Sequence, residues 1–288
     1  MEKTIGLYLA IFVLGLCVGS FLNVVIHRLP LMIARRQTHK APSLKTDPSS
    51  PRPQERFNLA IPGSHCIHCG NKIRLLDNIP IMSYLLLGGR CRECHARISP
   101  RYPIVEFLTA MLSTIPVIVH GPEWKSMWIV MATWLLLLIA FIDLERMLIF
   151  DFLVFTLLWM GLLLNSQGVF CAPEDAIIGA AAGYLFLWVL NSVFRSITDR
   201  SGMGHGDFKL LSALGAWLGW QALPVVVFIA ATTGLVFGLV QIFRKRLKFG
   251  QPIPFGPWLA LSGWYFLVDN DSFIYHHINE SINIIMGN

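Results

Sequence analysis

Two aspartates lie where long apolar runs meet short polar segments: Asp143 in AFIDLERMLIFD and Asp207 in GMGHGDFKLL. A carboxylate at a membrane edge is costly to desolvate, so an acid in such a place is a functional candidate by default. Two that meet at one depth can share a proton and activate water against an amide, the chemistry of an aspartic protease. Taken singly, Asp207 reads equally well as a helix N-cap, and Asp143 as a charged loop residue beside Glu145 and Arg146. Their settings differ. Asp207 follows Gly202, Gly204 and Gly206, which permit close backbone approach, and it opens a helix whose positive end favours a carboxylate. Asp143 falls near a helix C-terminus, whose negative end favours the protonated acid. That contrast makes Asp207 the base for water and Asp143 the proton donor, within a pair whose titration is shared. Asp151 is a rival partner that reads more naturally as an N-cap, and Glu145 reads as solvated. Lys209 is a boundary cation or a positive group beside the pair. Glu106, just inside an apolar run, is open to packing, a salt bridge or catalysis.

Four cysteines carry the second constellation: CIHC at 66–69 and CREC at 91–94. Two CxxC pairs roughly 20 residues apart have the spacing of a four-thiolate zinc site. Each pair wraps a metal from a tight turn, and Gly70 suits that turn. Cys66, Cys69, Cys91 and Cys94 are therefore the expected ligands of a closed, structural Zn2+. Two disulfides are the alternative, disfavoured by a cytoplasmic setting; a redox CxxC lacks the surrounding βαβ pattern. His65, His68 and His95 read as bystanders, and Cys17 and Cys171 as unpaired. Serine-elbow, HExxH and dinucleotide motifs are absent from the sequence.

The elements that must position these residues are membrane helices. The 288-residue chain is 55% hydrophobic and 14% charged, with a mean hydropathy of +0.58, outside the range of an ordinary soluble domain. Apolar stretches occur at 5–27, 103–120, 125–142, 150–168, 174–194, 208–221, 223–243 and 254–268. A span needs roughly 20 residues, so the short sixth and eighth are the weakest. The expected fold is all-α and polytopic, with about eight transmembrane helices and a small zinc-binding insert. The domains expected are a first transmembrane helix at 1–28, a cytosolic insert at 29–102, a transmembrane peptidase region at 103–270 and a tail at 271–288. The first apolar segment lacks a small-residue cleavage site and runs on into SFLNVVIHRLP, so it reads as a retained helix. The pairs Gly15/Gly19, Gly179/Gly183 and Gly234/Gly238 read as close helix packing.

The net charge of +6 is no nucleic-acid signal, because the basic residues concentrate in particular loops. They fall in the insert, at Arg146, at Arg195 and Arg200, and in RKRLK at 244–248, while the alternate loops hold Glu123, Glu174 and Asp175. The positive-inside rule then places the insert in the cytoplasm and both termini outside. With that orientation the helix before Asp143 and the helix after Asp207 put both acids at the cytoplasmic boundary.

The ordered set GSFLNVVIHRLP (19–30), FNLAIPGSHCIHCG (57–70), DNIPIMSYLLLGGRCRECHARISPRYPIVE (77–106), IDLERMLIFD (142–151), GMGHGDFKLLSALGAWLGW (202–220) and IPFGPWLA (253–260) resembles the bifunctional type IV prepilin peptidases. The resemblance covers nearly the whole chain. It implies cleavage of the basic leader of prepilins and type II secretion pseudopilins at the cytoplasmic face of the bacterial inner membrane, after a glycine. It further implies N-methylation of the new N-terminal residue, typically Phe, with S-adenosylmethionine as cofactor. Asp143 and Asp207 match the family's catalytic aspartates, and the four cysteines its zinc ligands. Against the family pattern, Phe150 stands where proline is common and His95 where glycine is frequent. The methyltransferase expectation rests on the resemblance alone, since no spacing marks an S-adenosylmethionine site. A reading from another class is a proton-coupled transporter using the same aspartates, which predicts midplane carboxylates and repeated halves. A third is a zinc-dependent assembly protein.

Overall fold

A computed structural model describes residues 2–40, 58–199, 202–246, 248 and 251–269. Residues 41–57 of the expected insert and the expected tail at 271–288 fall outside these residues. The described chain is helical. In order it forms α1 (Glu2–Lys40), a 3-10 turn (Leu75–Asn78), the short α2 (Met82–Leu86), α3 (Arg101–His120), α4 (Trp124–Arg146), α5 (Asp151–Asn165), α6 (Pro173–Thr198), α7 (His205–Leu218), α8 (Leu223–Phe243) and α9 (Gly256–Val268). Among the described residues the only β-type pairing is two isolated bridges, His65 with Lys72 and Arg90 with Arg97.

Each of the eight apolar segments is a helix, but they are not equal in length. Among the described residues, five helical stretches are long and apolar enough to cross a membrane: Thr4–Arg35, α3, α4, α6 and α8. The others, α5, α7 and α9, have 15, 14 and 13 residues. At 1.5 Å per residue they reach roughly 20–23 Å, short of roughly 30 Å of hydrocarbon. The first helix also outruns its expected end, continuing past Arg28 and through Pro30 to Lys40. A proline usually interrupts a helix by removing one hydrogen bond; here one helix accommodates it.

Two compact units divide the chain, Met1–Ile118 and Val119–Asn288. In the first, α1 packs on α3 through its small residues. A Cβ at Gly15 would lie 2.5 Å from the Ala110 Cα, and one at Gly19 2.7 Å from the Glu106 Cα. Only glycine allows that backbone approach.

In the second unit the short α7 is the hub, packed by α5, α6 and α9, while α9 also meets α4 and α8. Phe208, Leu210, Leu211, Leu214 and Trp217 of α7 are fully buried. The α6–α7 seam is again made of small residues: Gly179 and Gly215 lie so close that a Cβ on either would strike the other's backbone, and Gly183 sits against the Leu211 carbonyl. Gly234 and Gly238 of α8 rest against Trp258 and Ile253. All three glycine pairs thus serve packing. Buried polar groups also tie the bundle together. The Trp217 indole N–H donates to the Leu157 carbonyl at 2.8 Å, and Asn165 Nδ2 donates to the Ala216 carbonyl at 2.8 Å. The second bond caps a carbonyl in the last turn of α7 that its own helix leaves unpaired.

Candidate active site and cysteine cluster

The expected pair is built where α4 ends and α7 begins. Asp143 occupies the last turn of α4 and is 5% exposed. The helix stops one turn later because Met147 takes a left-handed conformation (φ 53°) and its N–H donates to the Asp143 carbonyl at 2.8 Å. Asp143 is therefore a buried helix residue and not a loop charge. Its Oδ2 accepts the backbone N–H of Gly256 at 3.1 Å, from the first residue of α9.

Asp207 is 7% exposed and lies in the first turn of α7. The N-cap position is held by Gly204 and not by Asp207, and the Asp207 carboxylate instead reaches back to the Gly204 backbone. Its Oδ1 is buried with no hydrogen-bond partner among the described residues. The two carboxylates are within electrostatic reach of one another. Ile149, in the turn after α4, fills the space between their supports. A Cβ at Gly206 would lie 2.7 Å from the Ile149 Cβ, and one at Gly256 3.0 Å from its Cδ1. A Cβ at Gly256 would also fall 2.8 Å from Asp143 Oδ2. The predicted role of glycine beside Asp207, close approach, is what Gly206 does.

Neighbouring groups take positions that spacing did not reveal. Asp151 is the first residue of α5, with Phe150 as N-cap, and its Oδ1 pairs with Lys209 Nζ at 2.6 Å. It neither caps its helix nor joins Asp143, but braces α5 against α7. Asn191 of α6 accepts the N–H groups of Gly202 (3.1 Å) and Met203 (3.2 Å) through its Oδ1, which fixes the glycine segment leading into Asp207. Gly256 and Asn191 are the site residues that sequence reasoning missed. The FGP triplet at the start of α9 was the available signal for the first, since it marks a helix start with proline just inside.

The four cysteines meet as expected. Cys66, Cys69, Cys91 and Cys94 are set so that their Sγ atoms all lie within 4.8 Å of one another, with 3.8 Å between Cys66 and Cys94. The two CxxC segments fold into matching knuckles. The Gly70 N–H donates to the Cys66 carbonyl at 2.9 Å, and the His95 N–H to the Cys91 carbonyl at 3.0 Å. Both closing residues have positive φ, 72° for Gly70 and 55° for His95; glycine meets that demand freely and histidine does not. Backbone N–H groups of Cys69 and His68 pull the Cys66 thiol down to about 6, toward the thiolate that binds metal. Arg92 clamps the second knuckle to the 3-10 turn, its Nη2 2.6 Å from an Asp77 oxygen. Glu106 is 7% exposed, and its Oε2 accepts the Ile81 N–H at 2.8 Å. It thus anchors a residue held at φ 59°, by a bond to backbone and not by a salt bridge.

Helices able to cross a membrane, with two buried carboxylates gathered at the ends of two of the helices, define a polytopic membrane protein with an aspartic-protease-like pair. The Bacterial Peptidase A24 N-terminal domain matches residues 13–120, and the Type IV leader peptidase family matches residues 130–239, the stretch that holds both aspartates. Proteins named prepilin leader peptidase/N-methyltransferase are similar to nearly the whole chain. The one from Aeromonas salmonicida (strain A449) is 48% identical over 263 residues, 91% of this chain and 90% of its own length. That from Stutzerimonas stutzeri is 45% identical over 270 residues, 94% of this chain and 93% of its own. That from Pseudomonas aeruginosa is 44% identical over 266 residues, 91% and 90%. The chain belongs to the type IV leader peptidase family. No solved structure matches it.

Proposed function

We propose that this chain is a prepilin leader peptidase and N-methyltransferase. It cleaves the basic leader of type IV prepilins and pseudopilins after glycine and methylates the new N-terminus. The observation that carries the peptidase half is the meeting of Asp143 and Asp207 around Ile149 and Gly256. The pair holds one proton between its two carboxyl groups. The ionised member takes a proton from water, the water oxygen bonds to the scissile carbonyl carbon, and the protonated member gives its proton to the carbonyl oxygen. The carbon–nitrogen bond then breaks, and the departing amine takes up the proton drawn from water. One hydroxyl proton of the tetrahedral carbon returns to the carboxylate that acted as donor, leaving a carboxylic acid product and a singly protonated pair. The Gly256 N–H holds Asp143 Oδ2 in place, while Asp207 keeps a buried Oδ1 with no hydrogen-bond partner among the described residues. Family membership sets aside the transporter reading.

The cysteine cluster fits Zn2+. Tetrahedral zinc with Zn–S bonds of about 2.3 Å requires sulfur atoms ~3.8 Å apart, and Cys66 and Cys94 have that separation. Four protein ligands make the site closed and structural, holding a segment too small to build its own core. S-adenosylmethionine supplies a methyl group on a sulfonium, and the new N-terminal amine accepts it with loss of a proton. Family membership supports placement in the bacterial inner membrane, and loop charge supports the insert and the aspartates at the cytoplasmic face with both termini periplasmic. Residues 1–28, 29–102, 103–270 and 271–288 then serve as anchor, zinc insert, peptidase region and tail. Co-expression with a prepilin tests the whole reading: leader removal and a methylated mature N-terminus by mass analysis support it, and an uncleaved prepilin refutes it.

A further inference from the structure

Between the two cysteine knuckles, the 3-10 turn and α2 pack on one another and sort their side chains into two sets. Asp77, Ser83, Tyr84 and Leu87 line a cavity of about 1000 Å³ beside the knuckles. Leu75, Leu76, Ile79, Met82, Leu85 and Leu86 are exposed instead. Met82, Leu85 and Leu86 share one helix face by their i, i+3, i+4 spacing. Leu75 is 91% and Leu86 80% exposed, as open as Ile197 (78%) and Phe243 (84%) on the apolar helices α6 and α8. Single exposed leucines are ordinary, but a cluster of large apolar side chains marks a surface that something covers.

The surroundings of the cluster identify that cover as lipid. The insert runs from α1 to α3, so both its ends enter helices able to cross a membrane. The exposed face also continues onto α3. Ile81, between the two sets of leucines, forms an apolar groove with Pro103, Ile104 and Phe107, and Ile104 and Phe107 are half-exposed. The junction is a γ-turn, with Ile81 at φ 59° and ψ −49° and the Met82 N–H donating to the Pro80 carbonyl. That conformation is rare and strained. Glu106 of α3 holds it by accepting the Ile81 N–H, which fastens the leucine-bearing segment to the start of a membrane helix. Lys72 and Arg74 stand exposed just before the cluster, and Arg90 just after it. An apolar face edged by cations is the pattern of a segment lying in a bilayer interface, where anionic headgroups meet the cations.

We propose that this face of the insert is seated in the bilayer, its leucines among acyl chains and Lys72, Arg74 and Arg90 among anionic headgroups. The cysteine cluster then stands at the membrane surface and not free in the cytosol. The proposal rests on the membrane placement above, which the same experiment checks separately.

The test uses the full chain in vesicles of phosphatidylethanolamine and phosphatidylglycerol. These contain a phospholipid with a photoactivatable diazirine near the top of one acyl chain. After illumination, peptide mapping should find lipid on residues 75–86 at a yield within about threefold of that on Ile104–Phe107 of α3. Combining Leu75→Gln, Leu76→Gln, Leu85→Gln and Leu86→Gln should lower the label on 75–86 roughly tenfold, with zinc content and prepilin cleavage reporting that the variant is folded. Label on α3 but none on 75–86 overturns the proposal, whether water or protein covers the leucines. Equal label on 75–86 in the folded variant overturns it as well. Label on neither segment overturns the membrane placement together with the proposal. If the variant does not fold, the wild-type map decides alone.

Discussion

At the scale of single residues, the site depends on the absence of side chains as much as on carboxylates. Gly256 puts its N–H on Asp143 and leaves no room for a Cβ there. Gly256→Ala must push Asp143 or Ile149 aside, and a displacement near 1 Å costs about 100-fold in rate. Leader cleavage should fall by about that factor in a chain that still folds; an unchanged rate would show that the contact does not position the acid. The Lys209–Asp151 pair should behave differently. It is short, but Asp151 is 58% exposed, and an exposed ion pair contributes about 0–1 kcal/mol. Asp151→Asn should therefore shift thermal stability only slightly, and a large loss would mean that the brace between α5 and α7 carries more than its exposure implies. The chemistry of these residues was legible from their types, but their partners were not. Asp207 looked like an N-cap because the sequence cannot show that Gly204 occupies that position. Gly256 lies 113 residues from Asp143, so no local pattern could join them. Glu106 was unreadable because its partners are the Ile81 backbone N–H, a group every residue but proline carries, and the Ser20 side chain, 86 residues away in the chain.

At the scale of elements, short helices and small residues do the positioning. The hub α7 is too short to be a convincing span, yet it is the most buried helix, and its neighbours reach it through glycine. Gly179→Val would force a branched side chain into the Gly215 backbone. Overpacking of this kind costs about 1–3 kcal/mol or more, so yield of folded protein should drop sharply; normal folding would deny the tight seam. The knuckles offer a change in the opposite direction. His95 holds a left-handed conformation at φ 55°, which costs a non-glycine residue about 1–2 kcal/mol. His95→Gly relieves that strain, so release of metal to a chelator should slow or stay equal, whereas faster release would show that the ring makes a needed contact. Helix positions followed closely from apolar runs, whereas the expected side-chain caps at Asp151 and Asp207 are not made. The continuation of α1 through Pro30 did not, because proline's local penalty says nothing about the packing that overrides it.

At the scale of the molecule, the chain divides into two compact units: one carries the cysteine cluster and a large cavity, the other the two aspartates. The proposed zinc is a fold constraint and not a reagent. Cys66→Ser removes one of four thiolates, so bound zinc and pilin methylation should fall together. Metal content unchanged from wild type would exclude Cys66 as a ligand. The separation of cysteines and aspartates along the chain was legible in the sequence, but only the folded unit reveals that a cavity adjoins the knuckles.

The central claim is that Asp143 and Asp207 act as one catalytic pair. Its most direct test is prepilin leader cleavage by purified Asp143→Asn and Asp207→Asn proteins, each shown to be folded by retained zinc and thermal transition. Asparagine keeps the shape and removes the titrating proton, so each change alone should lower cleavage by about the 100–10,000-fold that a general acid or base contributes, or more. Cleavage at the wild-type rate by either folded variant would contradict the account.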